Sequence, residues 1–378
     1  MKVYKICIWT PTLTHHQSAF HDAIVKDGRI DLEVRYFNKT SQARLALGWE
    51  DKKCTKSFEK RVDTLNDALE SVSDFNKRVH IISGNGYDFT KELIAYCIKN
   101  NLKWANWTER NGGGLFKLLR ENSSLFEIFF PTYQRLYNRK FSGQIEKYAL
   151  GVFVSGVKAE EDYLKRGVSK EKIKHLYYAL NSLEKTTSTP KELKENKFKY
   201  NFIYVGSLSH RKGIDILLKA YAKLDNNEWG LILVGKDTAK GVYLKLAKKL
   251  NINDRVIFTG AIDFNRVNEY LSYSDVFVLP TRFDGWGAVL NEAASLALPL
   301  ISTDECGAAY HLIENDKNGY IVKADSIISL MSAMKKYVDM PNIIKQHGGC
   351  SSELFKQFLP KENVQRLMGA LKVWDSDE

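Results

Sequence analysis

The chain has 378 residues, of which 44% are hydrophobic and 27% charged, and a net charge of +11. The length suits two domains of ~150–200 residues rather than one core, the composition is that of an ordinary globular protein, and no apolar run is long enough to span a bilayer. The charge fits nucleic acid, an anionic membrane surface, a polyanionic small substrate or simply a Lys-rich surface, and alone it does not choose among them.

The N-terminal MKVYKICIWTPTL has a basic start and a short apolar run. A signal peptide needs a longer apolar region and a small-residue cleavage site, so YKICIW (4–9) reads as the first buried strand. LEVRYF (32–37), VHIIS (79–83), KWANW (103–107), GVFVS (151–155) and IKHLYY (173–178) read as further strands. Residues 115–140 mix Leu, Phe and Tyr with Lys and Arg. They read either as a core helix with a solvated face or as an amphipathic surface for anionic lipid, with Pro131 dividing two helices. Residues 181–200 are polar, hold a Pro and lack periodicity, and read as a linker.

Beyond it the pattern is regular. FIYVG (202–206), GLILVG (230–235), RVIFTG (255–260), DVFVLP (275–280), LPLIST (298–303) and GYIVK (319–323) alternate with helix-periodic segments. Continuous apolar strands between amphipathic helices predict a parallel, doubly wound sheet. The expected fold class is α/β with two Rossmann-like domains, 1–180 and 201–352, and a helix in the tail, 353–378, packing back toward the first. Cys7, Cys54, Cys97, Cys306 and Cys350 are scattered without metal-ligand spacing, as expected of reduced thiols in a cytoplasmic protein.

In open parallel sheets ligands sit at the carboxyl ends of strands, so the loops there are the candidates. In DGWGAVLNE (284–292), Gly285 and Gly287 permit a tight turn and a close backbone approach. The helix opening near Gly287 or Ala288 offers free N–H groups to an anion. Glu292 is surrounded by Val289, Leu290, Ala293, Ala294 and Leu296. A buried carboxylate needs a partner, and the cis hydroxyls of a ribose suit it better than solvent on an ordinary helix surface. In VGSLSHRKG (205–213), a strand ends at Gly206 and a loop carries Ser207, His210, Arg211 and Lys212. Adjacent cations at a strand–loop–helix junction suit a diphosphate; the alternative is a solvated pair in a basic chain.

In the first half, THHQSAF (14–20) would place His15, His16 and Gln17 on the loop after the first strand, as acceptor or sugar contacts or as plain surface residues. SGNGY (83–87) puts Asn85 and Tyr87 on a Gly-rich loop at a strand end. In WTERNGGG (107–114), Glu109 is either a site residue or half of a surface pair with Arg110.

As an ordered set these motifs resemble the retaining glycosyltransferases of family four, of the GT-B type. VGSLSHRKG matches the family's Gly-Arg-Leu, three residues, Lys-Gly; DGWGAVLNE matches its Glu, seven residues, Glu, with Gly-Phe-Gly inside. SDVFVLPT and HLIENDKNGYIV (311–322) also fit. The resemblance covers the second domain closely and the first more loosely, through WTPTLTHHQSAF, WTERNGGG and GVFVSGVKAEEDYLKRGVSKEKI. It implies two parallel sheets facing across a cleft. Glu292 would hold the ribose, Arg211 and Lys212 the diphosphate, and Asp284 a sugar hydroxyl. The N–H groups of Trp286, Gly287 and Ala288 would meet the distal phosphate or the sugar, with Gly206, Ser207 and Val289 completing the donor site. Glu109 lies near the place where many relatives carry an active-site His.

The resemblance further implies transfer from a UDP- or GDP-type sugar to a glycan or lipid-linked acceptor in cell-surface polysaccharide biosynthesis. No cofactor, metal or nucleic acid is expected, and the location implied is cytoplasmic, on the inner membrane face if peripheral. Three positions depart from the pattern. Ser207 stands for the usual Arg, which leaves Arg211 to supply that charge. Asp284 is one methylene shorter than the usual Glu. Ala297 replaces Gly, a change expected to affect packing alone. The competing readings are an epimerase or hydrolase of nucleotide sugars on the same fold and, from charge alone, a nucleic-acid-binding protein without a recognisable module.

Overall fold

Alternation along the first strand sets the layers of the first unit. In β1 (Tyr4–Thr10), Ile6 and Ile8 join one buried cluster while Cys7 and Trp9 join another, so the strand is covered on both faces. A computed structural model describes residues 2–38, 55–110 and 126–376, the side chains at 15, 16, 126–135 and 137 excepted. Of these, residues up to 181 and from 358 onward form one compact unit, and 182–357 form a second.

In the first unit β1 is followed by α1 (His15–Asp27), β2 (Ile30–Tyr36), β3 (Glu59–Arg61), α2 (Leu65–Ser71), β4 (Val79–Ser83), α3 (Asp88–Lys99), β5 (Trp104–Thr108), α4 (Phe126–Tyr148), β6 (Gly151–Val154), α5 (Val157–Leu164) and β7 (Ile173–His175). The described strands form one parallel sheet in the order β3-β2-β1-β4-β5-β6-β7. Chain order reverses between β1 and β4, which opens a crevice at their carboxyl ends.

The second unit runs through β8 (Tyr200–Val205), α6 (Ile214–Tyr221), β9 (Trp229–Val234), α7 (Val242–Lys249), β10 (Val256–Gly260), α8 (Val267–Tyr273), β11 (Val276–Leu279), α9 (Val289–Ser295), β12 (Leu300–Thr303), α10 (Ala309–Leu312), β13 (Gly319–Val322), α11 (Ile327–Asp339) and α12 (Ile344–Phe355). Its described strands are also parallel, in the order β10-β9-β8-β11-β12-β13, with the reversal between β8 and β11. Residues 182–200 are bonded along this unit. The Leu183 N–H donates to Ser295, the Thr186 N–H to Ser272, and Arg266 reaches Glu192 at 3.2 Å.

The last helix, α13 (Pro360–Ser376), returns to the first unit. Its Val364, Leu367, Met368, Leu371 and Trp374 share a core with Ile6, Ile8, Phe20 and Ile24. Trp374 meets Phe153 edge-on at 5.2 Å.

Three local expectations are corrected. Pro131 does not divide a helix, because α4 runs unbroken from Phe126 to Tyr148. The missing N–H removes one bond from a ladder long enough to keep the rest. The tail is not one helix over 353–374: α12 stops at Phe355, and Pro360 starts α13, where its missing N–H has no helical partner to lose. His15, His16 and Gln17 are not loop residues but the first turn of α1, capped by Thr14, whose hydroxyl accepts from the Gln17 N–H.

Candidate active site

Glycines bring two loops together at the β8/β11 reversal. Gly206 follows β8 directly with φ +144°, and a methyl group on Gly235, directly after β9, would lie 2.0 Å from the Gly206 carbonyl oxygen. Residues His210–Lys212 form a 3₁₀ turn that ends at Gly213, φ +72°. A methyl group on Gly213 would lie 2.0 Å from the Pro280 carbonyl, so glycine is required there by dihedral and by space. The loop after β8 is thereby pressed onto the loop after β11.

The charges sit on this junction. Lys212 donates to the Asp284 carboxylate. Arg211 Nη1 donates to the Phe283 carbonyl at 2.8 Å and lies 3.9 Å from Asp284. Lys212 and Asp284 are mostly buried, whereas the Arg211 side chain is 35% exposed. Beneath them is a residue the sequence reading passed over. Arg282 forks onto Asp215 at 2.7 and 2.8 Å, reaches Asp325 at 2.8 Å and donates to the His210 carbonyl at 2.6 Å. Burial acts to raise the Asp215 pKa, but the Arg282 fork prevails and holds it below the usual carboxylate range. Its partners stand 67 and 43 residues away, so no spacing signals them.

The loop carrying Asp284 is pinned to the loop after β12. The Asp284 N–H donates to the Glu305 carbonyl, the Gly307 N–H to Asp284 and the Ala308 N–H to Trp286. Gly287, φ +90°, passes Cys306 Sγ so closely that a methyl group would lie 2.6 Å from it. Burial pushes the Cys306 thiol up to about 12, so it packs and is no nucleophile at neutral pH. The Trp286 indole is buried and bonds Asn291 at 2.9 Å. The N–H groups of Gly287 and Ala288 make no hydrogen bond among the described residues, and Val289 opens α9. Glu292, one turn on, is 6% exposed among Leu290, Ala293 and Ala294, as the apolar context predicted. Helix α9 closes in a Schellman turn, with Leu298 N–H to Ala293 and Ala297 N–H to Ala294, and Ala297 at φ +56°. Replacing Gly by Ala at 297 therefore bears on backbone conformation, not packing alone.

The first unit is furnished differently. Gln17 donates to Thr10 Oγ1 at 2.9 Å and accepts from Thr14. Asn85 and Tyr87 follow β4, on the other side of the β1/β4 reversal, and Tyr87 is 44% exposed and meets Phe37 edge-on. Glu109, after β5, accepts from the Tyr178 hydroxyl, and Arg110 faces Asp162 at 4.0 Å. The side chains of His15 and His16, Cys54 and most of the 115–140 stretch lie outside the described residues. Among the described residues no cluster of metal-ligand type occurs, and no helix is long and apolar enough to cross a membrane.

Two parallel doubly wound units, the second with cations and a carboxylate at its reversal point, define a GT-B fold. Residues 185–348 match the family of glycosyl transferases group 1. The chain is 27% identical over 206 residues, 54% of each protein, to the N-acetylgalactosamine-N,N'-diacetylbacillosaminyl-diphospho-undecaprenol 4-alpha-N-acetylgalactosaminyltransferase of Campylobacter jejuni. It is 24% identical over 188 residues, 49% of this chain and 50% of the other, to the lipopolysaccharide 1,6-galactosyltransferase of Escherichia coli K12. It spans about half the length of these relatives in the matched regions. The whole fold aligns with Anabaena HepE in complex with UDP at TM-score 0.72 and 15% identity, covering 99% of this chain and all of the other.

Proposed function

We propose that the chain is a retaining, metal-independent glycosyltransferase that moves a sugar from a UDP- or GDP-type donor to a glycan or lipid-linked acceptor in cell-surface polysaccharide biosynthesis. The observation that carries this reading is the meeting of Arg211, Lys212 and Asp284 at the β8/β11 reversal, with Glu292 buried one turn into the adjoining helix. The family match of residues 185–348 and the named activities of the two relatives support it, as does the UDP in the HepE complex.

In this reading Arg211 and Lys212 meet the diphosphate. Asp284 is held by Lys212 in the structure, and it exchanges that contact for a sugar hydroxyl when the phosphates arrive. The N–H groups of Gly287 and Ala288 face the distal phosphate, and Glu292 accepts from the ribose hydroxyls. Breaking the anomeric C–O bond builds negative charge on the departing diphosphate. Cations and N–H groups already fixed in place stabilise that charge most in the transition state. The acceptor hydroxyl oxygen bonds to the anomeric carbon as the diphosphate departs, and the leaving phosphate takes the proton of that hydroxyl, so no nucleophile from the protein is needed. Gln17, Asn85 and Tyr87 belong to acceptor recognition, Glu109 stands with the catalytic residues, and the protein works on the cytoplasmic face of the membrane.

Thermal melting against nucleoside diphosphates tests the reading, since a ligand that binds the folded state raises its melting point. UDP or GDP should raise it, and Glu292→Ala should abolish most of that rise. No shift with any nucleoside diphosphate would refute the proposal. Rapid donor hydrolysis in the absence of any acceptor would instead favour a hydrolase.

A further inference from the structure

The cations near the site are not equivalent. Arg282 has every guanidinium nitrogen engaged: Nη1 with Asp215 and the His210 carbonyl, Nη2 with Asp215 and Asp325, and Nε with Asp325. Of the five N–H donors an arginine presents, four make hydrogen bonds here, and Nη2 also stands 2.8 Å from the Asp325 carboxylate. Two carboxylates flank it and its side chain is 13% exposed. The Arg211 side chain makes one described hydrogen bond, to the Phe283 carbonyl, and is the more exposed.

The placement of Arg282 is specific. Its guanidinium holds the His210 carbonyl, and its own N–H donates to the Arg211 carbonyl at 2.8 Å. Two successive carbonyls of the cationic turn, those of His210 and Arg211, are thus tied to one residue, which stands two positions before Asp284. Asp215 on α6 and Asp325 after β13 fix it from elements outside the two loops. Without Arg282 the turn keeps its own 3₁₀ bonds, the Gly213 contact with Pro280 and the Thr281 hydroxyl bond to the Arg211 carbonyl. It loses the side-chain tie that sets its height against the loop carrying Asp284.

We propose that Arg282 is a positioning residue for the donor diphosphate: it sets the 210–212 turn so that Arg211 and Lys212 reach the phosphates, without touching them itself. This rests on the nucleotide-sugar reading above. A small misplacement of a charged donor weakens a phosphate contact far more than it weakens packing. Lysine cannot replace it, since one ammonium lacks the fork that spans two carboxylates and a carbonyl.

The test is a double-mutant cycle on the full chain, with UDP and GDP affinity read by calorimetry, nucleoside binding by saturation-transfer NMR and folding by melting temperature. Arg282→Gln should weaken diphosphate binding by roughly tenfold or more, Arg282→Lys by less, and neither should change uridine or guanosine binding beyond about twofold. In an Arg211→Ala background the same Arg282→Gln change should cost below roughly threefold, because the two residues act as one unit. Equal losses in both backgrounds, or parallel loss of nucleoside and diphosphate binding, would reduce Arg282 to a structural clasp. Should Arg282→Gln fail to fold, Arg282→Lys decides: full diphosphate affinity in that variant overturns the proposal. A wild-type chain that binds uridine or guanosine but neither diphosphate overturns the proposal while leaving a nucleoside site, and one that binds none of these ligands removes the nucleotide reading with it.

Discussion

The two units share a topology and differ in how their reversal points are furnished. In the second, residues distant in sequence converge: Arg211 and Lys212 meet Asp284, and Arg282 joins Asp215 and Asp325. In the first, the described contacts of the candidates are with hydroxyls: Gln17 with those of Thr10 and Thr14, and Glu109 with that of Tyr178, 69 residues away. The difference has a chemical sense. Holding a diphosphate demands cations and backbone N–H groups at fixed offsets from a strand end. Recognising hydroxyls can be done by many polar side chains on many loops, and so imposes no spacing.

The sharpest way to break this comparison is to remove the cations. Arg211→Ala with Lys212→Ala should lower diphosphate affinity by about a hundredfold or more, since hydrogen bonds to charged groups are worth about 1.5–3 kcal/mol each. Glu109→Gln, in the first unit, should leave that affinity within about twofold. Calorimetry with UDP and GDP checks both. Equal losses from the two changes would mean that the units do not divide the work.

The same contrast explains what could be read in advance. The parallel sheets were legible because strands such as VFVL and GVFV are apolar throughout and alternate with amphipathic helices. Glu292 was legible because a carboxylate in an Ala-Leu helix is a local anomaly. Arg282 was not, because its fork closes on carboxylates brought near only by the fold. The clasp of Lys212 on Asp284 was hidden for the same reason: both residues were singled out, but for separate contacts with a ligand. Helix α1 was missed at its first turn because a Thr cap followed by His-His-Gln gives no apolar period to mark the start. The tail misled because an apolar rhythm continued across Pro360, where the chain restarts its helix.

Acid should separate the units further. His21 and His80 are buried in the first, and burial lowers them from 6.5 to about 3 and about 4. The unfolded chain takes up protons there that the folded unit refuses, so this stability is present above about pH 6.5 and is lost as pH falls toward 4. In the second unit burial, opposed by the Asn201 N–H and by Lys185, raises Asp275 from 3.8 to about 6. The folded unit keeps a proton that the unfolded chain has released. That contribution is full below about pH 4 and is lost as pH rises through 6, the opposite sense. His347 in the second unit is lowered by burial and works like the first unit's pair, so the second unit's response is a partial cancellation. Between pH 7 and 5 the first unit should lose about 2 kcal/mol or more, at about 1.4 kcal/mol per unit of pKa difference. Hydrogen exchange on β1 and β4 against β8 and β11 reads the two separately. Asp275→Asn should steepen the acid loss of the second unit; an unchanged slope would show that Asp275 titrates normally.

The smallest expected effect tests whether the second unit's site loops are held at some expense in backbone strain. Ala297 carries φ +56° at the left-handed position of the Schellman turn that closes α9. A Cβ in that region costs roughly 1–2 kcal/mol, and glycine removes the clash while giving the unfolded chain about 0.4–1 kcal/mol of extra freedom. The difference predicts that Ala297→Gly stabilises the unit by a net ~0.5–1 kcal/mol. The Leu298 and Ala297 N–H bonds that cap the helix do not involve the side chain, so the turn itself should persist. Denaturant unfolding measures the change. A destabilised Ala297→Gly protein would mean that the methyl group packs well enough to outweigh its strain, and that the substitution at 297 supports the helix carrying Glu292.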